Sequence, residues 1–251
     1  MRRFLTCAAL AMAAGLVLSA PPRAADAPKV FTPDQEQAIR QLVRDYLVNH
    51  PEVLMEAIQA LQEKQQAAEK DLRQKALAAH RRDLEQDPSS PVAGNPKGNV
   101  TVVEFFDYRC PYCKSVSDRL FDAVKADGNV RYVLKDFPIL GPESVFAAKA
   151  ALAAHKQGKY VEFHRALMAA RGALDQSAVM ALAKSVGLDV KRLRDEMDGR
   201  DVAETIDRTM KLAEALKIDG TPAFVVGDQL VPGAVSTDAL KTLIDRTRKT
   251  N

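Results

Sequence analysis

Cysteine is the residue this sequence nearly lacks: Cys7, Cys110 and Cys113 are the three in 251 positions. Cys7 falls in the opening stretch MRRFLTCAALAMAAGLVLSAPPRAADAP, where Arg2 and Arg3 precede an apolar run from Phe4 to about Ala20, followed by small residues and prolines. That is the form of a secretory signal, placed at residues 1–25 with cleavage near Ala24 or Ala25. The run is short and Ala-rich, which disfavours a retained membrane anchor. Cys7 comes before most of the apolar core, too early for a lipid attachment site, and is expected to leave with the leader. The exported chain then holds Cys110 and Cys113 alone, and no cysteine is left over for a structural disulfide.

A charge excess is missing as well. The chain has 36 basic and 33 acidic side chains, and removal of Arg2, Arg3 and Arg23 with the leader leaves 36 − 3 = 33 of each sign. Nucleic acid or an anionic membrane as main partner would demand a clustered basic excess, so both are set aside.

Glycine is absent from Phe31 to Gln86, a polar stretch with helical period. Thr32 is the expected N-cap, with Pro33 at the first helical position and Gln35 completing a capping box. Ile39, Leu42, Val43, Tyr46 and Leu47 fall on one face. The break at NHPE restarts the helix, with Asn49 as cap and Glu52 three positions on. Leu54, Ile58, Leu61, Ala68, Leu72 and Ala79 then form a weak heptad seam interrupted by Gln65 and Lys75. Such helices need another surface to cover them. Residues 31–87 are therefore read as a self-association segment, with packing on the main domain as the alternative. Residues 88–98 lie in a stretch dense in Pro, Gly and Ser, QDPSSPVAGNPKG, and read as a linker before a compact domain at 99–250.

In that domain NVTVVEFFDY predicts a buried central strand. CPYCKSVSDRLFDAVKADG predicts a helix with Gly128 as its stop, and NVRYVLKDFPIL a second strand parallel to the first. A helical region follows, an insertion at about 143–218. TPAFVVGDQLVPG then supplies two short strands joined at Gly227 and Asp228, and STDALKTLIDRTRK a closing helix. The order βαβ, helices, ββα is that of an α/β thioredoxin-like fold carrying a helical insertion.

Two cysteines separated by Pro111 and Tyr112 at a strand-to-helix junction suit thiol exchange, which needs an attacking thiolate and a second thiol to resolve the mixed disulfide. Cys110 at the N-cap gains from the unpaired backbone N–H groups and the helix dipole, and is expected to be an exposed nucleophile. Pro111 suits the first helical position, and Cys113 turns inward as the resolving thiol. Zinc is disfavoured because no second cysteine pair exists and His50, His80, His155 and His164 show no paired spacing near it. Two thiolates could hold a cuprous ion, so copper binding stays open.

Glu104 interrupts an apolar strand six positions before Cys110, on the face of Val100, Val102, Phe106 and Tyr108. It is read as a buried acid with a raised pKa that passes protons to and from Cys113, in preference to an edge glutamate reaching water. Thr221 and Pro222 stand just before an apolar strand, and a plain trans strand-starter is the alternative for Pro222. In a thioredoxin-like domain this proline is cis and faces the cysteine pair, leaving the preceding backbone to bind an extended client segment. His155 and His164 are assigned to surface or packing roles, and Lys135 and Asp136 to a solvated strand end.

With FFDYRCPYCK after one strand and GTPAFVV opening a later one, Asn99 to Lys249 resembles the DsbA-like family of exported bacterial thiol-disulfide oxidoreductases. The resemblance implies Cys110 as nucleophile, Cys113 as resolving cysteine, Glu104 as buried acid and Pro222 as cis-proline. It also implies the periplasm of a Gram-negative bacterium, a Cys110–Cys113 redox disulfide with no further cofactor or metal, and client contacts through Pro111, Tyr112, Thr221 and Pro222. Tyr112 and Thr221 depart from the monomeric oxidase at the family's centre, which has histidine and valine there. Phe31 to Gln66 is similar to the oligomerisation region of ScsC-like proteins, some of which are trimeric isomerases. The combined expectation is a homo-oligomer, a trimer for preference, that isomerises or reduces disulfides in exported clients and is kept reduced by a membrane thiol reductase. The alternatives are a monomeric dithiol oxidase served by a membrane oxidase, a periplasmic copper-binding protein, and a non-catalytic helical scaffold.

Overall fold

The structure, a computed structural model, describes residues 30–250. The signal assigned to residues 1–25 lies outside the described residues. The chain divides into two compact units, with the boundary between Gln62 and Glu63.

In the first unit, helix α1 (Pro33–Asn49) opens with the expected capping box: Gln35 N–H donates to Thr32 Oγ1 at 3.3 Å and Thr32 N–H to Gln35 Oε1 at 2.9 Å. Asn49 is the last residue of α1 and not the cap of the next helix. His50 ends α1 by donating its N–H to Tyr46 O, and α2 (Glu52–Ala79) starts after Pro51. No residue of α1 is buried, and Ile39, Leu42, Val43 and Tyr46 are all at least 41% exposed.

In the second unit a five-stranded sheet has the order β1-β3-β2-β4-β5. Central β2 (Val100–Phe106) runs parallel to β3 (Val130–Asp136) through the crossover helix α4 (Pro111–Asp127), which Gly128 stops in the left-handed region at φ +73°. On the other side of β2, β4 (Ala223–Val226) pairs antiparallel, and β5 (Gln229–Pro232) returns along it through the two-residue turn at Gly227 and Asp228. Five helices, α5 (Pro142–Lys156), α6 (Tyr160–Ala169), α7 (Gln176–Ser185), α8 (Val190–Met197) and α9 (Arg200–Ala215), form the insertion, and α10 (Thr237–Thr250) closes the described chain.

The alternation of β2 divides the core. Val100, Val102 and Phe106 face a cluster that takes in α4, α5 to α8 and α10, while Val103 and Phe105 face a second cluster with Val133, Leu212 and Leu216. Leu77 from the end of α2 and Leu84 from the short helix α3 (Arg81–Glu85) are 3% and 2% exposed in that second cluster.

The structure therefore corrects the linker reading of 88–98 and the start of the compact domain at 99. Val92–Gly94 is strand β1, antiparallel to β3 at the sheet edge, and the segment before it contributes core side chains. Lys135 is not a solvated strand end either. Its Nζ is buried, donates to Asp83 O at 2.6 Å and Ser90 Oγ at 2.8 Å, and lies 3.6 Å from Asp87 Oδ2. An ammonium removed from water needs such partners, so one lysine ties α3 and the segment after it to the back of the sheet. Asp136 is buried on the opposite face, where Tyr160 Oη donates to its Oδ2 at 2.6 Å.

Candidate active site

Cys110 is the N-cap of α4, with φ −70° and ψ 117°, and its sulfur accepts from Cys113 N–H at 3.3 Å. Pro111 occupies the first helical position, where a missing N–H costs no helix bond. Both thiols are free, so this is the reduced form. Hydrogen bonding from the Cys113 thiol, aided by the Thr221 side chain and by the backbone N–H groups of Cys113 and Tyr112, brings the Cys110 pKa down to about 6 against burial. The same thiol–thiol hydrogen bond, with burial and the charge of Glu104, drives Cys113 far above the ordinary thiol range.

Cys110 is 3% exposed, against the expectation of an exposed nucleophile, whereas Tyr112 is 67% exposed. The difference arises from the chain opposite. The Thr221–Pro222 peptide is cis, and the Cys110 thiol donates to Thr221 O at 3.2 Å. Pro222 is buried just before β4, and its carbonyl accepts from Gly233 N–H at 2.8 Å. Pro111, Tyr112, Thr221 and Pro222 thus lie with Cys110 at one end of the sheet.

Glu104 is 2% exposed on the sheet face shared by Tyr132 and Leu134, and Tyr132 Oη donates to Glu104 Oε2. Burial pushes its carboxyl up to about 8 against that hydrogen bond, with the charge of Cys110 adding to the rise. At neutral pH Glu104 is therefore a protonated acid electrostatically coupled to both thiols.

Several residues at the site carry no sequence signal of the kind that marked the cysteines. Asp107 is 1% exposed: its Oδ1 accepts from Arg109 N–H and Ser144 Oγ, both at 2.7 Å, and its Oδ2 from Leu140 N–H at 3.0 Å. Its backbone carbonyl also accepts from Cys110 N–H at 3.0 Å, so this residue shapes the turn that presents Cys110. An Asx turn in Asp107-Tyr108-Arg109 was the available signal. His164 is completely buried, as its packing role requires. Its Nδ1 is 3.1 Å from Tyr108 Oη, its ring stacks on Tyr160, and burial lowers its pKa to about 3. His155 is exposed. Among the described residues, no group of three or more His, Cys, Asp or Glu side chains could hold a metal ion.

A mixed sheet with a parallel βαβ core, a helix-capping Cys-x-x-Cys pair and a cis-proline against it define a thioredoxin-like domain. Residues 101–245 match the DSBA-like thioredoxin domain, and the chain belongs to that family. Residues 35–68 match the "Copper resistance protein ScsC N-terminal domain". A thioredoxin-like oxidoreductase from Silicibacter pomeroyi is 50% identical, with a TM-score of 0.66 over 67% of this chain and 98% of that one. Proteus mirabilis ScsC in a transitional conformation is 32% identical, with a TM-score of 0.66 over 88% of this chain and 100% of that one. The Na(+)/H(+) antiporter NhaA 1 of Salinispora arenicola is 32% identical over 61% of this chain, but the match spans only 24% of that protein. No helix among the described residues is long and apolar enough to cross a membrane.

Proposed function

We propose that the protein is a periplasmic thiol:disulfide oxidoreductase that isomerises or reduces disulfides in exported proteins. The observation that carries this reading is the Cys110–Cys113 pair, with a thiolate-forming outer sulfur, a proton-holding inner one and a neutral Glu104 coupled to both. An attacking thiol works best with a pKa near ambient pH, because thiolate fraction and nucleophilicity then balance. The Cys110 value of about 6 meets that condition. Its thiolate attacks a client disulfide, forming one S–S bond and releasing a client thiolate, which takes up a proton. If a client thiol then displaces Cys110, the client is isomerised. If Cys113 displaces it instead, the Cys110–Cys113 bond forms, the client sulfur leaves and takes up the proton that Cys113 gives up, and two electrons have moved from the pair to the client. The redox disulfide supplies all of this chemistry, so no separate cofactor is required.

The preference for isomerase over oxidase rests on the exposed apolar face of α1 and on the ScsC match at residues 35–68. Both favour a homo-oligomer, a trimer in our reading, which holds several redox pairs around one client. A membrane thiol reductase would return the pair to its dithiol form. Sedimentation of the mature chain, alongside reactivation of a scrambled disulfide substrate, tests this reading. A trimer that restores activity supports it, and a monomer inert on scrambled disulfides but active on reduced clients points to the dithiol oxidase.

A further inference from the structure

Beside the redox pair, the segment joining α6 to α7 and the first turn of α4 line an open groove of about 510 Å³, with Pro111 and Leu174 among its lining residues. Its charged lining is of one sign: Arg109, Lys114 and Arg171, with no carboxylate among the lining residues. Lys114 Nζ is fixed against the wall, donating to Ala170 O at 2.7 Å and Leu167 O at 3.4 Å. Arg109 donates to Leu140 O and pairs with Glu143 at 3.1 Å. Arg171 is exposed and has no ion-pair or hydrogen-bond partner among the described residues. The carboxylate of nearby Asp175 caps α7, accepting from Ala178 N–H at 2.8 Å and Ser177 Oγ at 2.7 Å. The three lining cations face no lining carboxylate; of the acids around them, Glu143 pairs with Arg109, Asp175 is engaged in capping α7 and Asp107 is buried in the active-site turn, so the groove itself is basic.

We propose that this groove selects clients by charge, taking acidic side chains that flank the reacting cysteine of an extended polypeptide. The inference rests on the disulfide-exchange reading and names the substrate preference of that same site. A client sulfur bonded to Cys110 sits next to Pro111, which lines the groove. An extended chain advances about 3.3 Å per residue, so client positions within two or three of the cysteine reach the cations. A peptide of that chemistry gains from the groove in its approach and in the mixed disulfide, and a basic one is repelled.

The reaction to follow is the one above: Cys110 thiolate opens a peptide disulfide, one peptide thiolate leaves, and Cys113 releases the second as the Cys110–Cys113 bond forms. Three symmetric disulfide-linked peptides differ only in having Asp, Ser or Lys on both sides of the cysteine. The rate of mixed-disulfide formation with reduced full-length protein is measured by stopped flow, each value divided by the peptide's rate with dithiothreitol to remove its intrinsic reactivity. The Asp peptide should exceed the Lys peptide by roughly tenfold at low salt, as expected from two or more partly exposed charge contacts. In 1 M salt the ratio should fall toward one. Arg171→Glu should cut the low-salt ratio several-fold, and Arg171→Lys should keep most of it. Equal normalised rates for the three peptides, or a ratio unmoved by Arg171→Glu, would overturn the charge-selection inference while the Ser peptide still reacts. Failure of all three peptides to react would instead refute the disulfide-exchange reading on which it rests.

Discussion

Glu104→Gln removes one titrating proton from the buried face of the sheet and keeps a side chain of the same size with an oxygen for Tyr132 Oη. The carboxyl's pKa is about 8 in the folded, reduced protein against an ordinary 4.5. The unfolded chain therefore releases this proton at a pH where the folded chain still holds it. The stabilisation is full below 4.5 and is lost as pH rises through 8. At 1.36 kcal/mol per pKa unit, the loss between those limits is about 5 kcal/mol, of which about 3 kcal/mol has gone by pH 7. Gln cannot ionise, so the stability of Glu104→Gln minus that of the parent should rise by these amounts across the same window and then level off. Cys110 contributes with the opposite sign, because its depressed pKa gives stability that is present above its unfolded value and lost as pH falls through about 6. That contribution is common to both proteins and largely cancels in the difference. Urea unfolding of both, kept reduced with a phosphine and followed by circular dichroism from pH 4.5 to 8.5, measures it. A difference that stays flat within about 1 kcal/mol would refute the buried, protonated carboxyl.

In the reduced protein, alkylation of Cys110 by iodoacetamide should follow a titration with midpoint about 6, and in Cys110→Ala the buried Cys113 should resist the reagent up to pH 9. Leu84→Ala should cost about 2–5 kcal/mol in urea unfolding, as for other fully buried leucines; a loss under 1 kcal/mol would place α3 outside the core. Asp107→Ala strips three hydrogen bonds from the active-site turn, each to a charged acceptor and worth about 1.5–3 kcal/mol. It should lower the unfolding midpoint and slow client attack, with Asp107→Asn intermediate in both.

The placement of the cysteine pair at a helix N-terminus was legible because its spacing, its place after a strand and Pro111 are local features, and local features decide an N-cap. Glu104 was legible for a related reason: a carboxyl among Val102, Val103, Phe105 and Phe106 breaks the pattern of a buried strand. Its partner was not. Tyr132 stands 28 positions away and is brought to Glu104 by the parallel register that pairs Val102 with Tyr132 and Glu104 with Leu134. The shielding of Cys110 was missed for the same physical cause, since the covering carbonyl belongs to Thr221 on the far side of the insertion. Composition also misled in one place. Pro, Gly and Ser between Gln86 and Gly98 suggested a free linker, but a three-residue edge strand needs little intrinsic propensity when an ordered neighbour pairs with it. Lys135, in an otherwise apolar strand, was as strong an anomaly as Glu104. It reads correctly only once Asp83, Asp87 and Ser90 are folded against the back of the sheet.

The two faces of β2 and β3 thereby divide the electrostatic work. On the redox side, Glu104 and His164 are both uncharged at neutral pH and Asp136, at about 7, is near its midpoint, each because burial disfavours its charged form. The cation of Lys135 faces the other way and is paired there with Asp87. The depressed pKa of Cys110 is caused chiefly by hydrogen bonds from Cys113, the Thr221 side chain and the Tyr112 backbone, which outweigh burial. Short hydrogen bonds to a sulfur covered by the Thr221 segment are little screened by salt, whereas the exposed cations beside Pro111 are screened strongly. Raising ionic strength should therefore slow the reaction with acidic clients while leaving the Cys110 titration midpoint in place. A midpoint that climbed with salt in step with the loss of rate would mean instead that the groove cations stabilise the thiolate itself.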